Sequence, residues 1–158
     1  MQLLRSLALD GNRLAKVPNF CSFNDSLFTI LKILSLSDNN IGIIDKTSFI
    51  CLPKLLASEL KGISVVELQN NIFSSLVYVN LENIPTLKRI EDFAFNSTSI
   101  KKIVMPNCRF HFDLIERFNP ATIFKFCPNV NDVNLGQNYL PNIPNILHLM
   151  LIPLDYLE

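Results

Sequence analysis

The sequence predicts an α/β solenoid. Similar coils stack so that a parallel β-sheet lines the concave side, with loops or short helical turns on the convex side. Three observations point to it. The pattern LxxLxLxxNxL, with Val or Ile allowed for Leu, recurs along the 158 residues. Successive copies start 21 to 30 residues apart, a period typical of repeat architectures. In the second half of several copies an apolar residue is followed five positions later by Phe, as in Ile44 to Phe49, Leu68 to Phe73 and Ile90 to Phe95.

Four copies are nearly complete: LRSLALDGNRL from Leu4, LKILSLSDNNI from Leu31, IKKIVMPNCRF from Ile100 and VNDVNLGQNYL from Val130. Two weaker copies lie between them. LVYVNLENIPTL from Leu76 has one extra residue before Leu87, and LLASELKGISV from Leu55 places Ser58 and Ile63 where Leu and Asn are expected. A rival register through Ile63, Val66, Leu68, Asn71, Phe73 and Leu76 also fits, but it gives one repeat of 32 residues and a next of 13. Starts at 4, 31, 55, 76, 100 and 130 are preferred, with LDYL at Leu154 opening a partial seventh. The chain therefore reads as one domain over 1–158 with uncapped, apolar ends, since solenoids need capping units with a polar outer face.

Each element follows from the template. The LxL core makes a short strand with alternate side chains inward, placing strands near 7–9, 34–36, 58–60, 79–81, 103–105 and 133–135. The chain must then turn sharply while its backbone polar groups are buried, and buried backbone groups need partners. An Asn side chain inside that turn can both donate and accept. Asn12, Asn39 and Asn138 are the expected members of this ladder, with Cys108 as a small buried substitute. Ile63 and Ile84 cannot serve, so the ladder should break in the middle coils. The Phe residues close the core on the far side. In the fifth coil, DLIERFNPATIFKF suggests short helical turns on either side of Asn119, which can cap a helix with Pro120 at its first position.

The repeats resemble those of leucine-rich-repeat proteins over essentially the whole chain. IEDFAF and LRSLALDGNRLAKVP look like the extracellular animal type, as in Toll-like receptors. NCRF and FCPNV are similar instead to the cysteine-containing repeats of cytosolic F-box proteins. The resemblance implies a binding module for a protein or glycoconjugate ligand, extracellular or at the cell surface as part of a longer protein. The alternatives are a cytoplasmic adaptor and a structural spacer within a longer solenoid.

Composition narrows the function classes. Lys plus Arg balance Asp plus Glu at 14 each, and a neutral chain lacking basic runs is a poor partner for nucleic acid. The most apolar run, ILHLMLIPL from Ile146, is short and carries His148 and Pro153, so no membrane contact is expected of this segment. Arg5 and Asp10 interrupt the N-terminal apolar stretch too early for a signal-peptide core. There is no phosphate-binding loop, nucleophile elbow or HExxH, so neither enzyme activity nor a cofactor is expected. Cys108, His111 and Cys127 give a C-x2-H-x15-C spacing, compatible with zinc. A fourth ligand is not obvious and Cys108 has a ladder role, so no metal site is assigned.

Binding must then rest on side chains of the concave face. The candidates are Arg5, Lys32, Glu59, Tyr78, Asn80, Glu82, Lys102, Asn131, Asn134 and Tyr139. Tyr78 and Tyr139 are the best anchors, because tyrosine offers contact area at low entropic cost. Asn24 and Asn96 begin N-x-S/T sequons, although 18 Asn with 17 Ser plus Thr predict about two by chance. Cys21 and Cys51 occupy neighbouring places in successive coils. A disulfide and two buried thiols both remain open.

Overall fold

The computed structural model describes residues 4–22, 28–109, 123–124 and 126–139. Six short strands form one parallel sheet: β1 (Ser6–Ala8), β2 (Ile33–Ser35), β3 (Ala57–Glu59), β5 (Tyr78–Asn80), β7 (Lys102–Val104) and β8 (Asp132–Asn134). They stand in chain order, one per coil. Two further strands, β4 (Glu67–Leu68) and β6 (Arg89–Ile90), make a separate two-stranded parallel sheet between coils three and four. A 3-10 turn at Phe20–Ser22 closes the first coil.

Each main strand presents three residues, and register aligns them into columns. Leu7, Leu34, Ser58, Val79, Ile103 and Val133 form the inward column. The flanking columns begin at Ser6 and Ala8 and face away from the core. The strands lie one residue earlier than the LxL pattern suggested. The ladder pairs the residues that flank the central inward one, while the second Leu of each LxL already begins the turn. That Leu still joins the sheet hydrogen bonding. The amides of Leu9, Leu36, Leu60, Leu81 and Met105 donate to the following coil at 2.7–2.9 Å.

The core is a continuous stack of the template's apolar positions. Leu31, Leu55, Leu76 and Ile100 are all at most 1% exposed. Ser58 joins them at 0%, and its hydroxyl has no hydrogen-bond partner. Aromatic rings close the far side. Phe49, Phe73, Phe95 and Phe124 run coil to coil with centroid separations of 6.5, 5.4 and 6.0 Å, within the range for attractive ring pairs.

The rival register is explained by the second sheet. Leu68 is buried in a strand, Glu67–Leu68, that pairs with Arg89–Ile90 and lies outside the main sheet, whereas Val66, the other apolar residue of that pattern, is 46% exposed. The expected helical turns around Asn119, the apolar ends and the partial seventh repeat lie outside the described residues.

Candidate functional site

The concave face is built from the two outward columns and the residue just after each LxL. At its middle, β3, β5 and β7 bring together Glu59, Tyr78, Asn80 and Lys102, with Lys61 and Glu82 on the adjoining turns. All six are half-buried. Asn134 lies on β8, exposed. Arg5, Lys32 and Asn131 sit immediately before their strands, exposed, and flank the face rather than line it. Their carbonyl row explains the position: Arg5 and Lys32 each accept two amides from the next coil, which turns the chain into the strand. Tyr139 is 69% exposed, one residue past the Asn138 turn and outside the strand columns.

Most polar groups of this face pair across coils, and Asn80 pairs within its own. Lys61 Nζ meets Glu82 Oε1 at 3.0 Å and Lys102 Nζ meets Asp132 Oδ2 at 2.6 Å. Asp10 Oδ1 accepts from the Ser35 hydroxyl at 2.5 Å and the Ser37 amide at 2.7 Å. Asn80 Oδ1 holds the Glu82 amide at 2.9 Å. Burial, then the neighbouring Glu59 carboxylate, pushes the Tyr78 phenol up to about 12, so it stays a neutral donor at physiological pH. Hydrogen bonding to Glu82 and its charge raise the Lys61 ammonium above its ordinary value. Such exposed pairs add little stability. Their effect is to orient long side chains across the concave face.

Beneath the face lies the ladder. Asn39 donates to the carbonyls of Leu9, Leu36 and Ser37 and accepts the Leu14 amide at 3.0 Å, tying coil two to coil one. Asn138 repeats this between the last described coils, donating to Met105 and Leu135 and accepting the Cys108 amide at 2.6 Å. Cys108 donates its thiol to the Leu81 carbonyl at 3.1 Å. Burial pushes that thiol, like the one on Cys127, up to about 11. Ile63 and Ile84 are buried and interrupt the series. Asn12 departs from expectation. It is exposed and donates to Leu9 and Asp10 of its own turn. Ladder bonds reach toward the preceding coil, and coil one is the first described.

Sequence reading missed a second row. The residue just before each ladder position has a left-handed backbone: Gly11, Asp38, Gly62, Asn83, Asn107 and Gln137, with φ of 54–65°. The first five donate their amides to the following coil at 2.7–3.0 Å. The signal was available, because Gly, Asn and Asp are the residues that tolerate this conformation. At Gly62 a Cβ would also overlap the Asp38 carboxylate.

Cys21 and Cys51 form a disulfide between coils one and two. Beside it is a cleft of about 700 Å³, lined in part by Val17, Pro18, Ile43 and Ile50. Cys108 and Cys127 are free buried thiols. His111 and Asn24 lie outside the described residues. Among the described residues no three His, Cys, Asp or Glu side chains converge as metal ligands. Asn96 is exposed on the convex turn that follows β6.

Comparison with known proteins agrees with this geometry. A leucine-rich-repeat sequence profile matches residues 2–57. No curated protein sequence matches the chain. Among solved structures, human 5T4 (Wnt-activated inhibitory factor 1, trophoblast glycoprotein) aligns with 93% of this chain at a TM-score of 0.76 and 17% identity. The chain spans 55% of the length of that structure. At such identity the likeness is one of fold.

Proposed function

We propose that this chain, whose residues 2–57 match a leucine-rich-repeat profile and whose coils stack in that fold, is a protein-interaction module of an extracellular or cell-surface protein, holding a protein or glycoconjugate ligand on its concave face. One observation carries this reading. Tyr78, Glu59, Asn80 and Lys102 on adjacent strands and Lys61 and Glu82 on the turns after them stand side by side, and pairs across coils (Lys61–Glu82, Lys102–Asp132, Tyr78–Glu59) and within one (Asn80–Glu82) arrange them before any ligand arrives. Preorganised side chains lose less freedom on binding. Tyr78 is the central anchor, and the charged residues set orientation and salt dependence. The role is binding rather than catalysis.

One feature supports the extracellular setting: Cys21–Cys51 is a disulfide, a bond that persists in oxidising compartments. The test is a surface scan of the parent protein against a ligand captured from a secreted and cell-surface protein panel. Tyr78→Ala and Glu82→Lys should each weaken binding at least tenfold. Lys46→Glu and Ser75→Lys, on exposed convex turns, should leave it within twofold. Sensitivity on the convex turns with a silent concave face would favour the spacer reading.

A further inference from the structure

Among the exposed apolar groups, one pair sits beside a chemically modifiable side chain. Phe93 and Phe126 are 40% and 38% exposed, and their rings lie 4.9 Å apart across neighbouring coils. Three residues after Phe93 comes Asn96, first residue of the sequon Asn96-Ser97-Thr98. Asn96 and the Phe93–Phe126 pair share one convex patch, because the Asn96 amide donates to the Phe93 carbonyl at 3.1 Å and the Ser97 amide to the Phe126 carbonyl at 3.2 Å. The three sequon residues have different surroundings. Asn96 and Thr98 are exposed. Ser97 is buried and its hydroxyl donates to the Ser74 carbonyl at 2.9 Å. The residue that would carry a sugar and the one whose hydroxyl the acceptor signal requires thus both point outward, while the position where the signal is permissive is used for packing.

We propose that Asn96 carries an N-linked glycan and that this glycan covers the Phe93–Phe126 pair. The inference rests on the extracellular reading above. The donor is an oligosaccharide linked to a polyprenyl diphosphate. A bond forms between Asn96 Nδ2 and the anomeric carbon, the bond from that carbon to the diphosphate oxygen breaks, and the diphosphate leaves with the electron pair. One amide proton passes to solvent. The folded protein accommodates the product. An Asn amide has two N–H groups; one donates to Asn71 Oδ1 at 2.9 Å, and the other can be substituted. Carbohydrate on this turn solvates the patch and leaves the concave sheet open.

The test is expression of the parent protein in eukaryotic cells with Asn24→Gln, so that Asn96 opens the one sequon left within these 158 residues. Peptide N-glycosidase should then convert Asn96 to Asp in the recovered peptide. Asn96→Gln and Thr98→Ala should each abolish the enzyme-sensitive mass on the peptide that contains residue 96, while Ser97→Ala should retain it. Asn96→Gln should raise the fluorescence of an apolar dye severalfold, and adding Phe93→Ser with Phe126→Ser should return it to baseline. Unmodified Asn96 in secreted protein with Cys21–Cys51 oxidised overturns the glycan and leaves the extracellular reading standing. Reduced Cys21 and Cys51 in protein kept inside the cell overturns both. A modified Asn96 whose loss leaves dye fluorescence unchanged overturns the covering role.

Discussion

At the scale of single residues, Asn39 and Asn12 show how one template letter can hold two physical roles. Asn39 is 2% exposed and serves three carbonyls and one amide across two coils. Asn12 is exposed and serves only its own turn. Removing a side chain costs most where it leaves buried partners unsatisfied. Asn39→Ala should therefore destabilise by about 1–3 kcal/mol. Asn12→Ala should cost less than about 0.5 kcal/mol, as for an ordinary surface change. Urea melts of the two variants decide it, and equal losses would refute the ladder as drawn. The Leu columns and Asn39 were legible in the sequence because each repeats a residue type whose chemistry fits only one place in the coil. The role of Asn12 was not, because it depends on which coil stands before it. The left-handed row was legible in principle, but its residues vary among Gly, Asp, Asn and Gln, so no single letter marks it.

At the scale of an element, β3 carries the one imperfect position in the inward column. Ser58 lies between Leu34 and Val79, fully buried, with no partner for its hydroxyl. Its backbone is satisfied by the parallel ladder, so only the side chain is at odds with its surroundings. Ser58→Ala removes the unsatisfied group and almost no volume. It should stabilise by about 1 kcal/mol, the low end of the desolvation cost of such a group. The check is a rise in denaturation midpoint at constant m-value; a fall would mean that the hydroxyl has a partner in solution. The sequence marked Ser58 as a departure from the template. It gave no hint of the second sheet, β4 with β6, whose apolar residues looked like a competing register. Two-residue strands leave too short a period to distinguish from a displaced repeat.

At the scale of the whole molecule, a solenoid is nearly one-dimensional, and each coil is stabilised mainly by its neighbours. The Cys21–Cys51 bond joins coils one and two and closes a loop with a sequence separation of 30. Its chain-entropy contribution is about 3–4 kcal/mol for a loop of that length. In a globular protein that loss would spread over the entire fold. Here each coil touches only the next one, so it should stay local. The six-strand sheet has no contact that carries strain from β1 to β7 except through β2, β3 and β5 in turn. Reduction should raise amide exchange most at Leu9 and Gly11, whose amides donate from coil one to coil two. The increase should fall with each coil and be smallest at Leu81 and Met105. The same pattern should follow from Cys21→Ser with Cys51→Ser, while Cys108→Ala would act at the junction of coils four and five through the lost bond to Leu81. Hydrogen exchange read by mass spectrometry distinguishes the alternatives. A uniform rise along the chain would show that the coils unfold as one unit, and the concave face would then lose its central geometry whenever the bridge is reduced. A local rise would leave Glu59, Tyr78 and Glu82 in place, so that ligand binding at the middle strands persists without the disulfide.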